Sequence, residues 1–320
     1  MNVFVAGANG FVGRALCPAL AAAGHCVRAG VRRPGSVDVS SNVVRVRFDL
    51  DDEATIGPAL AGVDVVVWLV HGLVRDDFAA WEARVAGRFA DVARKAGLRR
   101  LVYLGGVAPT TLSAAGRAPA LPSQHLAARE RTGELLRQAA EQVLELRAGI
   151  VIGAGGASFR LLRDLAARAP LLVRTPWLSS EQQPVALADV VEALVTVVMR
   201  DDVGVLDVPG PTVITTEALV RRTAALLGRR VRFVDVALPR ALIVEAAARL
   251  TRADAAVVRG ILGGVDAVDH VAVDDGVFAR VPGLRRTPLD VALRDALIGE
   301  ERTLQPGTAA VEDALARLWR

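Results

Sequence analysis

A chain of 320 residues, 52% hydrophobic and 23% charged, can bury a large core and reads as a globular protein of one large or two modest domains. Its net charge of +4 rests on scattered arginines in short pairs, such as Arg99-Arg100 and Arg229-Arg230, without aromatic interleaving, which argues against nucleic-acid binding. No apolar run reaches membrane-spanning length, the start lacks the basic segment of a secretory signal, and Cys17 and Cys26 read as reduced, buried thiols of a cytoplasmic protein.

The first element is an apolar strand, Val3 to Ala6, running into Gly7-Ala8-Asn9-Gly10-Phe11-Val12-Gly13 and a helix from Phe11 to Ala23. In this Gly-x-x-Gly-x-x-Gly turn, Gly7 permits the tight exit from the strand and Gly10 lets backbone N–H groups approach a phosphate. Gly13 lets the helix pack close. The helix N-terminus offers unpaired donors and partial positive charge to an anion. The stretch reads as the pyrophosphate site of a dinucleotide, with Gly7, Asn9, Gly10, Phe11, Val12 and Gly13 at the cofactor. Pro18 falls inside the helix and should kink it or leave one carbonyl unpaired, and Gly24 is its expected C-cap.

Strand two, Cys26 to Val31, ends in Arg32-Arg33-Pro34. A carboxylate about 20 residues beyond the glycines binds the ribose 2′-hydroxyl of NAD, whereas a guanidinium there meets the 2′-phosphate of NADP. Arg32 and Arg33 therefore point to NADP(H) over NAD(H).

Strand three spans Val43 to Phe48, and a short helix runs from Asp52 to Leu60. Val63 to Val70 is a nearly continuous apolar run suited to a parallel strand covered on both faces. A helix from Phe78 to Ala96 ends at Gly97. Strand five is Leu101 to Leu104, a helix runs from Ser123 to Ala140, and strand six is Val143 to Leu146. This alternation predicts an α/β fold, a doubly wound parallel sheet of the Rossmann type over residues 1–153. The remainder, 154–320, reads as a smaller, mostly helical substrate-binding cap, with one strand, Val203 to Val208, returning to the main sheet. Its helices are expected over Ala157 to Ala169, Asp189 to Arg200, Thr216 to Leu227, much of Pro239 to Leu262, Pro288 to Ile298 and Val311 to Trp319, with a short strand from Val231 to Val236.

These motifs resemble the short-chain dehydrogenase/reductase superfamily, in its extended and atypical, epimerase-like and NmrA-like members. The glycine turn is similar to the extended members' motif, and Asp49-Leu50 falls where the resemblance implies contact with the adenine. Leu146 to Gly153 resembles their sixth strand and the bend after it, and Pro184 to Val191 resembles a returning segment with Asp189 as helix cap. Leu69-Val70-His71, Tyr103-Leu104-Gly105-Gly106, Ser123 to Arg129 and Gly155 to Phe159 resemble an atypical subgroup of bacterial NAD(P)-binding proteins. The resemblance implies Val70, His71 and Gly105 at the cofactor.

The chain departs from the superfamily at its catalytic Tyr-x-x-x-Lys. Its one tyrosine, Tyr103, lies in strand five and reads as core, and its one lysine, Lys95, lies in the preceding helix. In the expected helix stand His125 and Arg129, four apart and so on one face. Two readings of His125 remain open: proton donor in place of the tyrosine, with Arg129 in place of the lysine, or a residue that lines the site. Ser123 reads as substrate contact or N-cap, and His71 as ligand contact or a loop histidine. Gly105-Gly106 offers backbone donors and room but no hydroxyl. Trp177, Phe159 and Leu242-Ile243-Val244 read as pocket lining or as core, and no metal-ligand spacing appears.

Together these features predict an NADP(H)-dependent oxidoreductase that transfers hydride to or from a hydrophobic small molecule, of a kind suited to secondary metabolism, with a homodimer as the candidate assembly. A cofactor-binding sensor without turnover, and a redox-neutral isomerase, cyclase or dehydratase, use the same scaffold.

Overall fold

The structure, a computed structural model, describes residues 1–34, 42–72, 74–107, 124–263 and 269–303, with positions 308 and 312. Strand β1 (Asn2–Ala6) sends Val3 and Val5 to one face of the sheet and Phe4 and Ala6 to the other, as strand geometry requires. It leads into α1 (Phe11–Ala22), β2 (Cys26–Val31), β3 (Val43–Arg47), α2 (Ile56–Leu60) and β4 (Val65–Trp68). Next come α3 (Phe78–Lys95), β5 (Arg100–Gly106), α4 (Gln124–Leu136) and β6 (Gln142–Ala148).

Beyond them lie β7 (Val151–Ile152), α5 (Ala157–Arg168), β8 (Leu171–Val173), β9 (Glu181–Gln182), β10 (Val185–Ala186), α6 (Leu187–Val197) and β11 (Gly204–Asp207). The described residues end through β12 (Ile214–Thr215), α7 (Thr216–Leu226), β13 (Arg232–Val234), α8 (Arg240–Leu250), α9 (Ala255–Gly263), α10 (Gly276–Arg280) and α11 (Leu289–Glu301).

The main sheet has seven strands in the order β3-β2-β1-β4-β5-β6-β11, every pair parallel. This is a doubly wound α/β fold. Its strand order reverses between β1 and β4, the place where open sheets of this kind bind ligands. Val3, Val5, Leu16, Leu20, Val190 and Leu194 pack one face beneath α1 and α6. Phe4, Trp68, Phe89, Tyr103 and Leu136 pack the other beneath α3 and α4. Full burial of such side chains contributes about 1.5–3 kcal/mol each.

Several sequence expectations shift. The helix expected over 52–60 is a 3-10 turn, Glu53–Thr55, followed by α2, because the Thr55 hydroxyl bonds the Asp49 and Asp52 carbonyls and tightens the chain. The helical patterns expected over much of Pro239 to Leu262 are two helices, α8 and α9, separated where the Arg252 N–H and guanidinium turn to Asp164. Asp189 is not a helix cap; its carboxylate accepts hydrogen bonds from the Thr287 N–H and hydroxyl, pinning the approach to α11. Cys17 is buried as expected, but Cys26 is exposed at the start of β2. Apart from Glu312, the helix expected at Val311 to Trp319 lies outside the described residues, as does the role read for Ser123. Among the described residues no helix is long and apolar enough to cross a membrane.

The C-terminal region is held by charge as well as by apolar packing. Asp164 on α5 is fully buried and takes Arg252 at 2.8 Å and Arg163 at 3.1 Å. Buried Glu300 accepts the Gly155 N–H at 2.6 Å and pairs with Arg252 at 3.4 Å, while Glu312 receives Arg163 at 2.7 Å and Arg168 at 2.9 Å. Burial pushes the Asp164 carboxyl up, but hydrogen bonds from Arg252 outweigh it and hold the group below its usual range. That contribution is present above the ordinary carboxylate range and is lost as pH falls through it. Arg252→Leu leaves Asp164 under-compensated and should lower unfolding free energy by about 3 kcal/mol in urea titration at neutral pH.

Candidate functional site

The turn after β1 is shaped by contacts that admit no side chain. Gly7 holds φ +88°, in the left-handed region, and its carbonyl accepts the Gly10 N–H at 2.9 Å. A Cβ on Gly13 would lie 2.4 Å from the Gly7 carbonyl oxygen and 2.7 Å from Ala8 Cα, so α1 can pack this closely only on glycine. Gly10 caps α1 with no side-chain bond, the first turn carries no acid, and Asn9 and Gly10 are exposed. Open backbone donors at an uncapped, acid-free helix start fit a pyrophosphate.

Phe11 and Val12 serve this loop differently from the glycines. The Phe11 ring packs on Gly153 and Gly156, where added Cβ atoms would meet it at 3.0 and 2.8 Å, and Val12 packs against the core. Arg32 and Arg33 are exposed at the carboxyl end of β2. Past β3, Asp49 accepts the Asp51 N–H at 3.1 Å and the Leu50 carbonyl accepts Arg88 at 3.1 Å. The Leu50 side chain itself is core, so this segment offers backbone and the Asp49 carboxylate to the cleft edge.

The carboxyl ends of β4 and β5 carry the second part of the site. His71 follows β4, with Val70 packed on the core behind it. His125 stands in the first turn of α4, and its ring centroid lies 6.4 Å from that of His71 and 6.5 Å from that of Phe78. His125 Nδ1 is buried and has no hydrogen-bond partner. Desolvation, with the charge of Arg129, pushes the His125 imidazole down to about 3 and His71 down to about 4. Both are therefore neutral at physiological pH.

Arg129 shares the His125 face, as its spacing requires, and turns to the end of β5. Its guanidinium donates to the Leu104 carbonyl and lies 5.5 Å from the Tyr103 ring. The Tyr103 hydroxyl donates to the Arg129 carbonyl at 3.0 Å, and burial pushes it up to about 12, so it belongs to the core. Lys95 is exposed on α3. Gly105 does not supply the open room that its sequence suggests. A Cβ there would lie 2.8 Å from Glu145 Oε1, so its vacant side is filled by a buried carboxylate.

Three residues of this region escape the sequence reading. Buried Glu82 accepts the Gly72 N–H at 2.6 Å and so fixes the loop that carries His71, with burial raising its own carboxyl. Its sequence signal is an acid on the apolar stripe of α3, beside Trp81 and Val85. Glu145, an acid within the apolar β6, is paired with Arg137 at 3.0 Å and Arg147 at 3.1 Å. His270 pairs as an isolated bridge with Gln182 and lies close enough to help lower the His125 imidazole. Nothing in its local sequence marks it. Phe159 is core, Trp177 packs against α5 and α8, and Leu242 is exposed.

Residues 7–151 match a family model described as NAD(P)H-binding. No curated protein sequence matches the chain. Among solved structures, MoeE5 in complex with UDP-glucuronic acid and NAD is 22% identical, with TM-score 0.70 over 95% of this chain and 100% of that one. The Thermus thermophilus UDP-glucose 4-epimerase complex with NAD is 18% identical, TM-score 0.72, over 95% and 100%. TunA, an NAD dependent-NDP-hexosamine 5,6-dehydratase involved in tunicamycin biosynthesis, is 15% identical, TM-score 0.68, over 94% and 98%. Residues 7–151 are thus similar to an NAD(P)H-binding family, and the whole chain has the fold of these epimerase and dehydratase structures.

Because the Gly13 position is closed to any side chain, Gly13→Ala should weaken dinucleotide affinity about ten-fold or more, a loss of about 1.4 kcal/mol, in calorimetric titration. The fold, followed by circular dichroism, should persist.

Proposed function

We propose that this protein binds NADP(H) and transfers hydride to or from a hydrophobic small molecule, with His125 as the hydrogen-bonding group at the reacting oxygen. The observation that carries the reading is the facing pair His71 and His125 at the carboxyl edge of the sheet, neutral, with His125 Nδ1 buried and unpartnered. When bound, the nicotinamide supplies or accepts the hydride. The N-terminus of α1 holds the pyrophosphate, and Arg32 and Arg33 meet the 2′-phosphate. Val70, Asp49, Leu50 and Gly105 border the same cleft.

A neutral imidazole polarises a carbonyl by donating a hydrogen bond to the oxygen on which negative charge develops. His71, 6.4 Å from His125 between ring centroids, passes the proton that this oxygen finally takes. Arg129 fixes the end of β5 through Leu104 and adds positive potential to the oxygen. A redox-neutral epimerisation or dehydration on the same cofactor is the second reading, favoured by the epimerases and the dehydratase among the structures of similar fold.

Titration with NADPH, NADP+, NADH and NAD+, followed by cofactor-oxidation assays against apolar ketones, enones and quinones, tests the proposal. Turnover supports the reductase; tight binding with no net oxidation favours the redox-neutral reading or a sensor. Arg32→Glu should weaken NADPH by about ten-fold while sparing NADH, since a charge-assisted bond to the phosphate is worth about 1.5–3 kcal/mol. His125→Ala should cut kcat by about a hundred-fold with NADPH affinity unchanged, the scale of one lost oxyanion donor. Because desolvation and the charge of Arg129 push His125 down to about 3 and His71 down to about 4, kcat should stay flat from the acid side of neutrality to the alkaline side. A fall through the ordinary histidine range would show an imidazolium donor instead.

A further inference from the structure

The chain has four histidines, and three of them, His71, His125 and His270, gather at one cleft from three separate elements. His71 follows β4 and His125 opens α4. His270 comes from the C-terminal region, where its N–H donates to the Glu181 carbonyl at 2.8 Å and Asp269 accepts the Glu181 N–H at 2.7 Å. The backbone carbonyls of Gln183 and His270 close on Gly149, so this segment lies directly over the bend that follows β6.

The Nδ1 atoms of His125 and His270 are both buried without a hydrogen-bond partner. Buried polar atoms are paired in the great majority of cases, so two orphans at one cleft mark a place where a ligand's acceptors or donors belong. Arg129 brings a full positive charge to the same place, felt at the buried Glu82 carboxyl, but among the described residues it makes no ion pair; its guanidinium donates to the Leu104 carbonyl and lies over the Tyr103 ring. Beside these groups lies an apolar wall in which Phe78 of α3 and Ala128 of α4 pack against Val257 of α9, with Ile261 at its edge.

We propose that the cleft takes a small organic acid, a carboxylate carried on an apolar body, and that His270 is the residue of the C-terminal region that selects it. This rests on the substrate cleft of the preceding section and names its ligand class. The carboxylate pairs directly with Arg129 and accepts hydrogen bonds from the imidazoles, while the Phe78 and Val257 wall covers the apolar body.

The groups that face the histidines are few. Glu82 from α3 is buried, with Oε1 accepting the Gly72 N–H, Oε2 without a partner among the described residues and the carboxyl raised by burial; Asp269 adjoins His270, and Arg129 comes from α4. Tyr103 and Glu145 lie behind on β5 and β6. All three imidazoles are held below the ordinary histidine range by desolvation. An arriving carboxylate raises them, so the bound state takes up protons and affinity increases as pH falls.

Phenylacetate and phenylacetamide, matched in shape and differing in charge, are the probes. Each is titrated by calorimetry into the protein with and without saturating NADP+, so that loss of dinucleotide binding is seen apart from loss of acid binding. The acid should bind at least about ten-fold more tightly than the amide, the scale of one charge-assisted hydrogen bond. Its affinity should rise from about pH 7.5 to about pH 5.5, with proton uptake seen as a dependence of the heat on buffer. His270→Gln should lose about ten-fold for the acid and nothing for the amide or the dinucleotide, with thermal unfolding unchanged. His270→Arg, which restores charge, should recover acid affinity. Equal affinity for the two probes, no binding of the acid, or an acid affinity indifferent to His270→Gln overturns the proposal.

Discussion

One carbonyl oxygen governs the architecture of the cofactor half. The Gly7 oxygen accepts the Gly10 N–H and occupies the space that any side chain at residue 13 would need. That contact draws α1 down onto the strand end and points its uncapped first turn at the crevice beside β1. The crevice exists because the strand order reverses between β1 and β4. Chain connections run outward from that point in both directions, leaving a gap at the carboxyl edge. A second set of glycines, Gly153 and Gly156, extends the constraint by receiving the Phe11 ring. The bend after β7 is thereby packed directly on the dinucleotide turn.

The C-terminal region adds what the sheet lacks. Buried Glu300 on α11 holds the N–H of Gly155, within the same bend that cradles Phe11, and joins it to Arg252 and Asp164. Ion pairs removed from water this thoroughly cost desolvation, and their return lies chiefly in fixing one geometry. Here that geometry sets where α9 sits, and α9 forms the apolar wall against Phe78 and Ala128. The same region carries His270 to the cleft through its pairing with Gln182. The cleft is thus walled by two regions whose relative position depends on buried charge.

The chemistry of the cleft follows from an imbalance. Carboxylates near the site already have partners: Glu82 takes Gly72 through one oxygen, and Glu145 takes Arg137 and Arg147. Among the described residues Asp269 is the one acid beside an imidazole, next to His270; desolvation lowers all three, and Arg129 adds to it at His71 and His125. In the superfamily resembled, a tyrosine and a lysine serve as the acid and its tuner. Here the tyrosine lies in the core with its hydroxyl on a backbone carbonyl, and the lysine is solvent-exposed.

The doubly wound fold and the dinucleotide turn were legible in the residues because they arise from local patterns. Apolar strands of four to seven residues alternate with helices, and three glycines stand at the spacing a strand-to-helix turn requires. His125 and Arg129 share a face because helix periodicity requires it, and Arg32 and Arg33 are exposed where a strand end predicts. What the residues could not show depends on contacts between distant segments. Asp189 looked like a cap and instead holds Thr287, 98 positions away. The open room expected at Gly105 is filled by Glu145, and the convergence of His270 with His71 and His125 needs the C-terminal region folded over the sheet. Periodicity records which face a residue takes within its own element. Which groups meet across elements, and therefore which nitrogens are desolvated and left without partners, is set by packing that joins residues far apart in the chain.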